Sequence, residues 1–325
     1  MIYLKPLGGL CNRMRTIDSL ITICKAKQED MTVLWVKDNS LNCSFGDLFL
    51  VPEFKEFNFK IIDCPIGFPE NYMSKFKEYD SNSGTYHLRN ASSTRYIKNI
   101  LKGRFISSEQ KKICKNIEGI DDFNILTNEE LAVLYASNNH LDSLTAREMD
   151  VNFFVKVEKR LKEFLDSESV FRYITSCYRM VPRENNYRYF QPISSIEREA
   201  DITAGKFNRT YGLHIRRTDH TTSKNYSTTD RFLEIVKNVI NKEKDASFFL
   251  STDDDETKQA LISEFGEIII SNKVSSYDRN HPDAVKDALV DLICLSKTRK
   301  IYGSHHSSFS QTAADIGEIE EITAK

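Results

Sequence analysis

From residue 208 onward the chain alternates short apolar runs with amphipathic helical stretches, and few folds accept that pattern. TYGLHIRR (210–217) reads as a strand, with a helix from Thr229 to Lys242 after it. SFFLST (247–252) precedes a helix over Asp255–Phe265, and EIIIS (267–271) one over Pro282–Lys297. KIYGS (300–304) leads into a last helix starting near Ser307. Strands alternating with helices of this length build βαβ units around a parallel sheet. The beginning of the chain repeats the theme. IYLKP (2–6) is a strand, Leu7–Asn12 a glycine-bearing loop, and TVLWV (32–36) a second strand. Between them Arg13–Lys27 is an amphipathic helix, with Met14, Ile17, Ile21 and Cys24 on one side.

The middle of the chain is less regular. Residues 66–104 are rich in Tyr, Asn, Ser and Gly and read as long irregular segments, which are more often functional than ordinary connections. Tyr72, Tyr79 and Tyr86 in this run either pack or stack on a sugar ring. Helical patterns return near 107–118, 127–137 and 151–166, and a polar, aromatic stretch spans 182–192. With 325 residues the chain suits two α/β halves, divided as 1–150 and 151–325 although no linker is visible.

Composition mainly excludes. Hydrophobic residues at 40% and charged ones at 28% allow a sizeable core without disulfides or metals. A net charge of -2 and the lack of a basic run argue against a nucleic-acid partner. The seven cysteines contain no Cys-x-x-Cys pair and none lies near a His at zinc-ligand spacing, as expected of reduced thiols. Neither a signal peptide nor an apolar run of about 18 residues is seen, so no membrane span and a cytoplasmic location are expected. On that reading the sequons at Asn42, Asn90, Asn208 and Asn225 occur by chance.

In an open parallel sheet, ligands sit beyond the C-terminal ends of the strands. The strand at 210–217 ends in His214 and Arg216 on one face, with Leu213 and Ile215 on the other. An arginine there offers a rigid fork of donors matched to phosphate oxygens, or else Arg216 and Arg217 merely pair with Asp219 and other acids. Asp253, Asp254 and Asp255 close the next strand. At least one is expected to cap the following helix, and the turn could orient a basic side chain or hold a metal. Asp291 shares a helix face with Ala284, Ala288 and Leu295. A carboxylate there needs a partner, which is either a neighbouring hydroxyl or base, or the two parallel donors of guanine. Ser307 and Ser308 open the last helix, where backbone N–H groups favour phosphate and serine is also a common cap. In the N-terminal loop, Gly8 and Gly9 allow backbone to approach a ligand, but the spacing is neither G-x-G-x-x-G nor a P-loop.

Four motifs occur in a fixed order: GGLCNRMRTI, GLHIRRTD, FFLSTDDDETKQAL and DALVDLICLSKTRKIYGSHHSSFSQTAA. Together they resemble the fucosyltransferase superfamily of the α1,6-fucosyltransferases, nodulation fucosyltransferases and protein O-fucosyltransferases. The likeness covers the N-terminal loop and nearly all of 208–316. It implies a GT-B architecture, two Rossmann-like domains facing across a cleft, with 1–150 the acceptor side and 151–325 the donor domain. It implies an inverting transferase that moves fucose from GDP-fucose onto a glycan or glycolipid-linked acceptor, the latter giving peripheral membrane contact, as in polysaccharide biosynthesis. No metal or other cofactor is implied. Another GDP-sugar, or a silent nucleotide- or glycan-binding module, is the alternative.

Carried over by motif, His214 and Arg216 meet the diphosphate, Asp291 reads guanine, Ser307 and Ser308 form a phosphate-contacting turn, and Asn12 and Arg13 face the donor. The full donor-binding set is Gly9, Asn12, Arg13, His214, Arg216, Arg217, Asp253, Asp291, Ser307 and Ser308. The catalytic set is Arg216, Asp219 and His220. His220 stands where the α1,6 enzymes carry Lys, and the acidic residue expected a few positions later gives way to TTSKN. The general base is therefore open among Asp219, His220 and Glu70.

Overall fold

The computed structural model describes residues 1–90, 106–119, 124–136, 146–169, 171–218, 225–278 and 280–325. They form two compact units: residues 1–45 with 51–185, and residues 46–50 with 186–325. The division expected after residue 150 thus falls after residue 185. Residue 150 lies inside a helix, and the strand that follows it completes the first sheet.

The first unit runs β1 (Ile2–Pro6), α1 (Leu10–Lys27), β2 (Met31–Val36), β3 (Phe59–Cys64), β4 (Lys75–Asp80) and β5 (Thr85–Asn90). After these come α2 (Ser108–Glu118), β6 (Ile125–Leu126), α3 (Asn128–Ala136), α4 (Ala146–Leu165) and β7 (Arg172–Ser176). Its sheet has the parallel order β3-β2-β1-β7-β6. β1 lies in the middle because it is apolar on both faces, as a covered parallel strand must be. Met14, Ile17, Leu20, Ile21 and Cys24 form the buried side of α1, while Lys25 and Lys27 face its negative C-terminal end. One face of this sheet carries a core of Tyr3, Leu34, Phe68, Ile113 and Tyr173. The tract read as irregular contains β4 and β5, an antiparallel hairpin that pairs Tyr79 with Tyr86.

The second unit runs α5 (Ser194–Ala204), β8 (Arg209–Ile215), α6 (Thr229–Lys242), β9 (Ala246–Thr252) and α7 (Asp255–Phe265). It continues with β10 (Ile269–Ile270), α8 (Pro282–Ser296), β11 (Lys300–Gly303), α9 (Ser308–Gly317) and β12 (Glu320–Thr323). The order β10-β9-β8-β11-β12 is parallel throughout, so β8 is central. Leu213, Ile215, Phe232, Val236, Phe248 and Leu250 fill the core on one face. Asp254 caps α7 by accepting from the Thr257 backbone N–H at 2.8 Å, the role expected of one member of that acidic run.

None of the seven cysteines forms a disulfide, and burial pushes the thiols of Cys24, Cys64, Cys114 and Cys294 up to about 12. Among the described residues no helix is long and apolar enough to cross a membrane, and no group of His, Cys, Asp and Glu is arranged to hold a metal ion.

Candidate functional site

The register puts His214 beside Ser251 of β9 and Gly303 of β11, so the ends of three adjacent strands converge. Strand alternation sends Leu213 and Ile215 into the core and His214 to the other face, where its ring stacks on Phe309 at 4.9 Å. His214 is only 7% exposed, and burial pushes its pKa down to about 4, with Asp253 pulling the other way. The imidazole is therefore neutral at pH 7, with one donor and one acceptor nitrogen. Its Nδ1 is buried without a hydrogen-bond partner.

A serine clasp fixes the next residue. Ser304 Oγ donates to the His214 carbonyl at 3.2 Å and accepts from the Arg216 backbone N–H at 3.0 Å. Arg216 stands half-buried one residue beyond β8, at the strand end where the sheet topology favours a ligand. Arg217 takes another course: its Nη2 donates to the Ser227 carbonyl at 2.5 Å. Asp253 holds this turn by accepting from the Arg217 backbone N–H at 2.6 Å and the Thr218 hydroxyl at 2.6 Å. Asp253 thus supports the loop after β8 through the Arg217 backbone and the Thr218 hydroxyl, a role not among those expected of the acidic turn. Asp219 and His220, expected to be catalytic, lie outside the described residues.

Ser227 organises this region without any signal in the sequence beyond ending the sequon at Asn225. Besides holding Arg217 through its carbonyl, its Oγ accepts from the His305 backbone N–H at 2.9 Å and donates to the Ala324 carbonyl. One buried hydroxyl thus joins the loops after β8, β11 and β12. Between β11 and α9 the chain turns tightly: a Cβ on Gly303 would sit 2.4 Å from Ser310 Oγ, so only glycine fits. Ser307 caps α9, its Oγ accepting from the Phe309 N–H at 3.3 Å. The remaining first-turn N–H groups of α9, with half-buried Ser308, form the positive end of the helix dipole.

Asp291 is 7% exposed on α8 and accepts from Asn272 Nδ2 at 2.8 Å. Burial pushes its carboxyl up to about 6, against hydrogen bonds from Asn272 and Ser251 that favour the charge. The neighbouring hydroxyl expected as one possible partner is therefore present, alongside an amide that the sequence did not point to.

In the first unit, Gly8 adopts φ +78, a left-handed conformation, and a Cβ there would lie 2.8 Å from Asn12 Nδ2. Gly9 is the N-cap of α1. Arg13, expected to face a donor, is 0% exposed instead. Its Nε donates to Gly8 O at 2.8 Å, its Nη1 to Val36 O at 2.5 Å, and its Nη2 pairs with Asp38 at 2.9 Å. The guanidinium lies over the Trp35 ring at 5.1 Å. Burial lowers its pKa while Asp38 opposes that, so Arg13 is a buried strut under the glycine loop. Glu70 is engaged at both oxygens, by Lys5 Nζ at 2.6 Å and the Tyr173 hydroxyl at 2.9 Å. The tyrosines of that tract pack: Tyr72 is buried in the core, and Tyr79 meets Tyr86 edge-on at 5.2 Å. The Tyr86 hydroxyl donates to Glu130 and to Ile125 O.

Two parallel-sheet units of this order define an α/β protein of the GT-B type, with Rossmann-like halves. No family model matches the sequence, and no curated protein sequence matches it significantly. Solved structures do. NodZ alpha-1,6-fucosyltransferase soaked with GDP-fucose is 14% identical with a TM-score of 0.53, the match covering 97% of this chain and 92% of that one. FUT1 of Arabidopsis thaliana, a point mutant in complex with GDP, is 13% identical with a TM-score of 0.51, covering 98% of this chain and 69% of that one. POFUT1 in complex with GDP is 13% identical with a TM-score of 0.51, covering 99% and 98%. At such identity the shared property is the fold.

Proposed function

We propose that this chain is a glycosyltransferase of the fucosyltransferase superfamily, transferring fucose from GDP-fucose to a glycan acceptor with inversion. The second unit is the donor side and the first the acceptor side. The observation that carries this reading is the convergence of neutral His214, Arg216 and the Ser307 helix start on the C-terminal ends of β8 and β11. The same GT-B fold holds GDP-fucose or GDP in the solved structures named above.

In the proposed reaction the bond between the sugar's anomeric carbon and the diphosphate oxygen breaks, and its electron pair leaves with GDP. The acceptor hydroxyl bonds to the opposite face of that carbon and gives its proton to a base, for which Asp219, His220 and Glu70 are the candidates. Arg216 and the N–H groups at the start of α9 stabilise the charge growing on the diphosphate. That arrangement supports transfer without a metal cofactor. Neutral His214 adds a donor on one ring nitrogen. Asp253 and the backbone of Arg217 shape the loop that presents Arg216, and Asp291 accepts from the guanine edge. Gly9 and Asn12 are the first unit's candidates for meeting the donor, while Arg13 supports their loop from below.

Thermal shift with GDP, GDP-fucose, GDP-mannose and UDP tests the reading, because a ligand that binds only the folded state raises Tm. GDP and GDP-fucose should raise it and UDP should not. A larger shift with GDP-mannose than with GDP-fucose would move the donor to another GDP-hexose. No shift with any of the four would refute the donor site. Donor binding without transfer or hydrolysis would leave a silent binding module.

A further inference from the structure

Asn272 follows β10 by two residues, in the loop that leads to α8. Three helices hold it. Its Oδ1 accepts from Thr203 Oγ1 of α5 at 2.6 Å, and its backbone carbonyl accepts from Lys258 Nζ of α7 at 2.7 Å. Its Nδ2 donates to Asp291 Oδ1 at 2.8 Å and to Cys294 Sγ at 3.8 Å, both on α8. The Asp291 carboxylate accepts only, so it takes the NH2 group, and the Thr203 hydroxyl holds the amide in that orientation by donating to its carbonyl.

Several elements contribute to the surroundings of Asp291. Ser251 at the end of β9 donates to it, Lys258 of α7 favours its charge, and Asp287 on its own helix opposes it. Tyr277, in the loop before α8, has its hydroxyl pushed up in part by Asp291. A carboxylate offers about four lone-pair directions. Asn272 and Ser251 occupy two of them, so about two remain.

Resting on the reading that Asp291 meets guanine, we propose that Asn272 is a positioning residue that sets base specificity, by fixing the Asp291 carboxylate in the one rotation that meets a guanine edge. Guanine presents its N1–H and 2-amino group as two parallel donors. Hypoxanthine keeps the first and lacks the second, so IDP reports the loss of a single bond. UDP makes neither pair. A carboxylate free to rotate would still accept one bond but would lose the matched pair. The Asn272 N–H also favours the charged carboxylate against burial, which ties orientation to ionisation.

The test is calorimetric titration of the full chain with GDP, IDP and UDP between about pH 5 and pH 8. The proteins are the natural chain, Asn272→Ala, Thr203→Val and Asp291→Asn. For the natural chain, GDP affinity should fall as pH drops through about 6, where the Asp291 carboxylate takes up its proton. In Asn272→Ala that fall should move to higher pH, and the preference for GDP over IDP at neutral pH should shrink roughly tenfold, the scale of one hydrogen bond to a charged group. Thr203→Val, which frees the amide without touching Asp291, should move both in the same direction by less. UDP binding should not change in any variant. If Asn272→Ala keeps the natural midpoint and GDP-to-IDP ratio while Asp291→Asn loses its GDP preference, the role of Asn272 is overturned and guanine reading stands. If Asp291→Asn keeps that preference, or the natural chain binds UDP as well as GDP, both fall. Should Asn272→Ala not fold, Thr203→Val decides: natural values there overturn the proposal.

Discussion

Asp291→Asn should separate the stability of this protein from its nucleotide binding. Burial is the main cause that raises the Asp291 carboxyl from 3.8 to about 6. Between those two values the folded chain keeps a proton that the unfolded chain has released. The stabilising contribution is therefore fully present below the unfolded value and is lost as pH rises through the folded one. At about 1.4 kcal/mol per pH unit, the displacement to about 6 corresponds to about 3 kcal/mol of stability missing at pH 7. Asparagine keeps the shape, offers its carbonyl to Asn272 Nδ2, and does not ionise. Urea unfolding should show Asp291→Asn more stable than the natural chain at neutral pH, by up to about 3 kcal/mol. The difference should shrink toward nothing near pH 4. GDP affinity should drop at least about tenfold in the same variant. A variant that is equally stable at every pH, or less stable at neutral pH, would refute the argument that the buried charge opposes folding.

Arg216→Ala should lower transfer by roughly a thousandfold or more, the scale of removing an arginine that stabilises leaving-group charge, while far-UV circular dichroism stays native; a loss below tenfold would contradict its role. Arg13→Met removes the strut beneath Gly8, taking its donors from the Gly8 and Val36 carbonyls and the paired cation from Asp38. It should destabilise the chain by about 3 kcal/mol in denaturant unfolding, and a change under about 1 kcal/mol would mean the buried arginine is dispensable.

The sequence by itself determined the elements whose signal is local. The strand and helix repeats after residue 208, helix α1, the helix start at Ser307 and the Asp cap of α7 all follow from periodicity and capping within a few residues. The parallel sheet of the second half followed from that alternation, as did the end of β8 as the place to look. Contacts between distant residues were decided only by the tertiary structure. β7 reads poorly in isolation, yet it completes the first sheet by pairing Ile2 with Arg172. The β4–β5 hairpin is held by cross-strand pairs in a tract whose composition suggests loop.

Arg13 and Arg216 show the same limit at the site. Both are arginines near a glycine-bearing or strand-end turn, and nothing local distinguishes them. Packing encloses one over Trp35, with carbonyls and a carboxylate around it, and leaves the other half-buried at the end of the central strand. Ser227 and Asn272 stayed silent in the sequence because a single hydroxyl or amide acquires meaning only from its partners. Those partners lie up to 97 residues away, as between Ser227 and Ala324. Hydrophobic periodicity is written along the chain, whereas a polar contact depends on the register and packing of whole elements, which no local window contains.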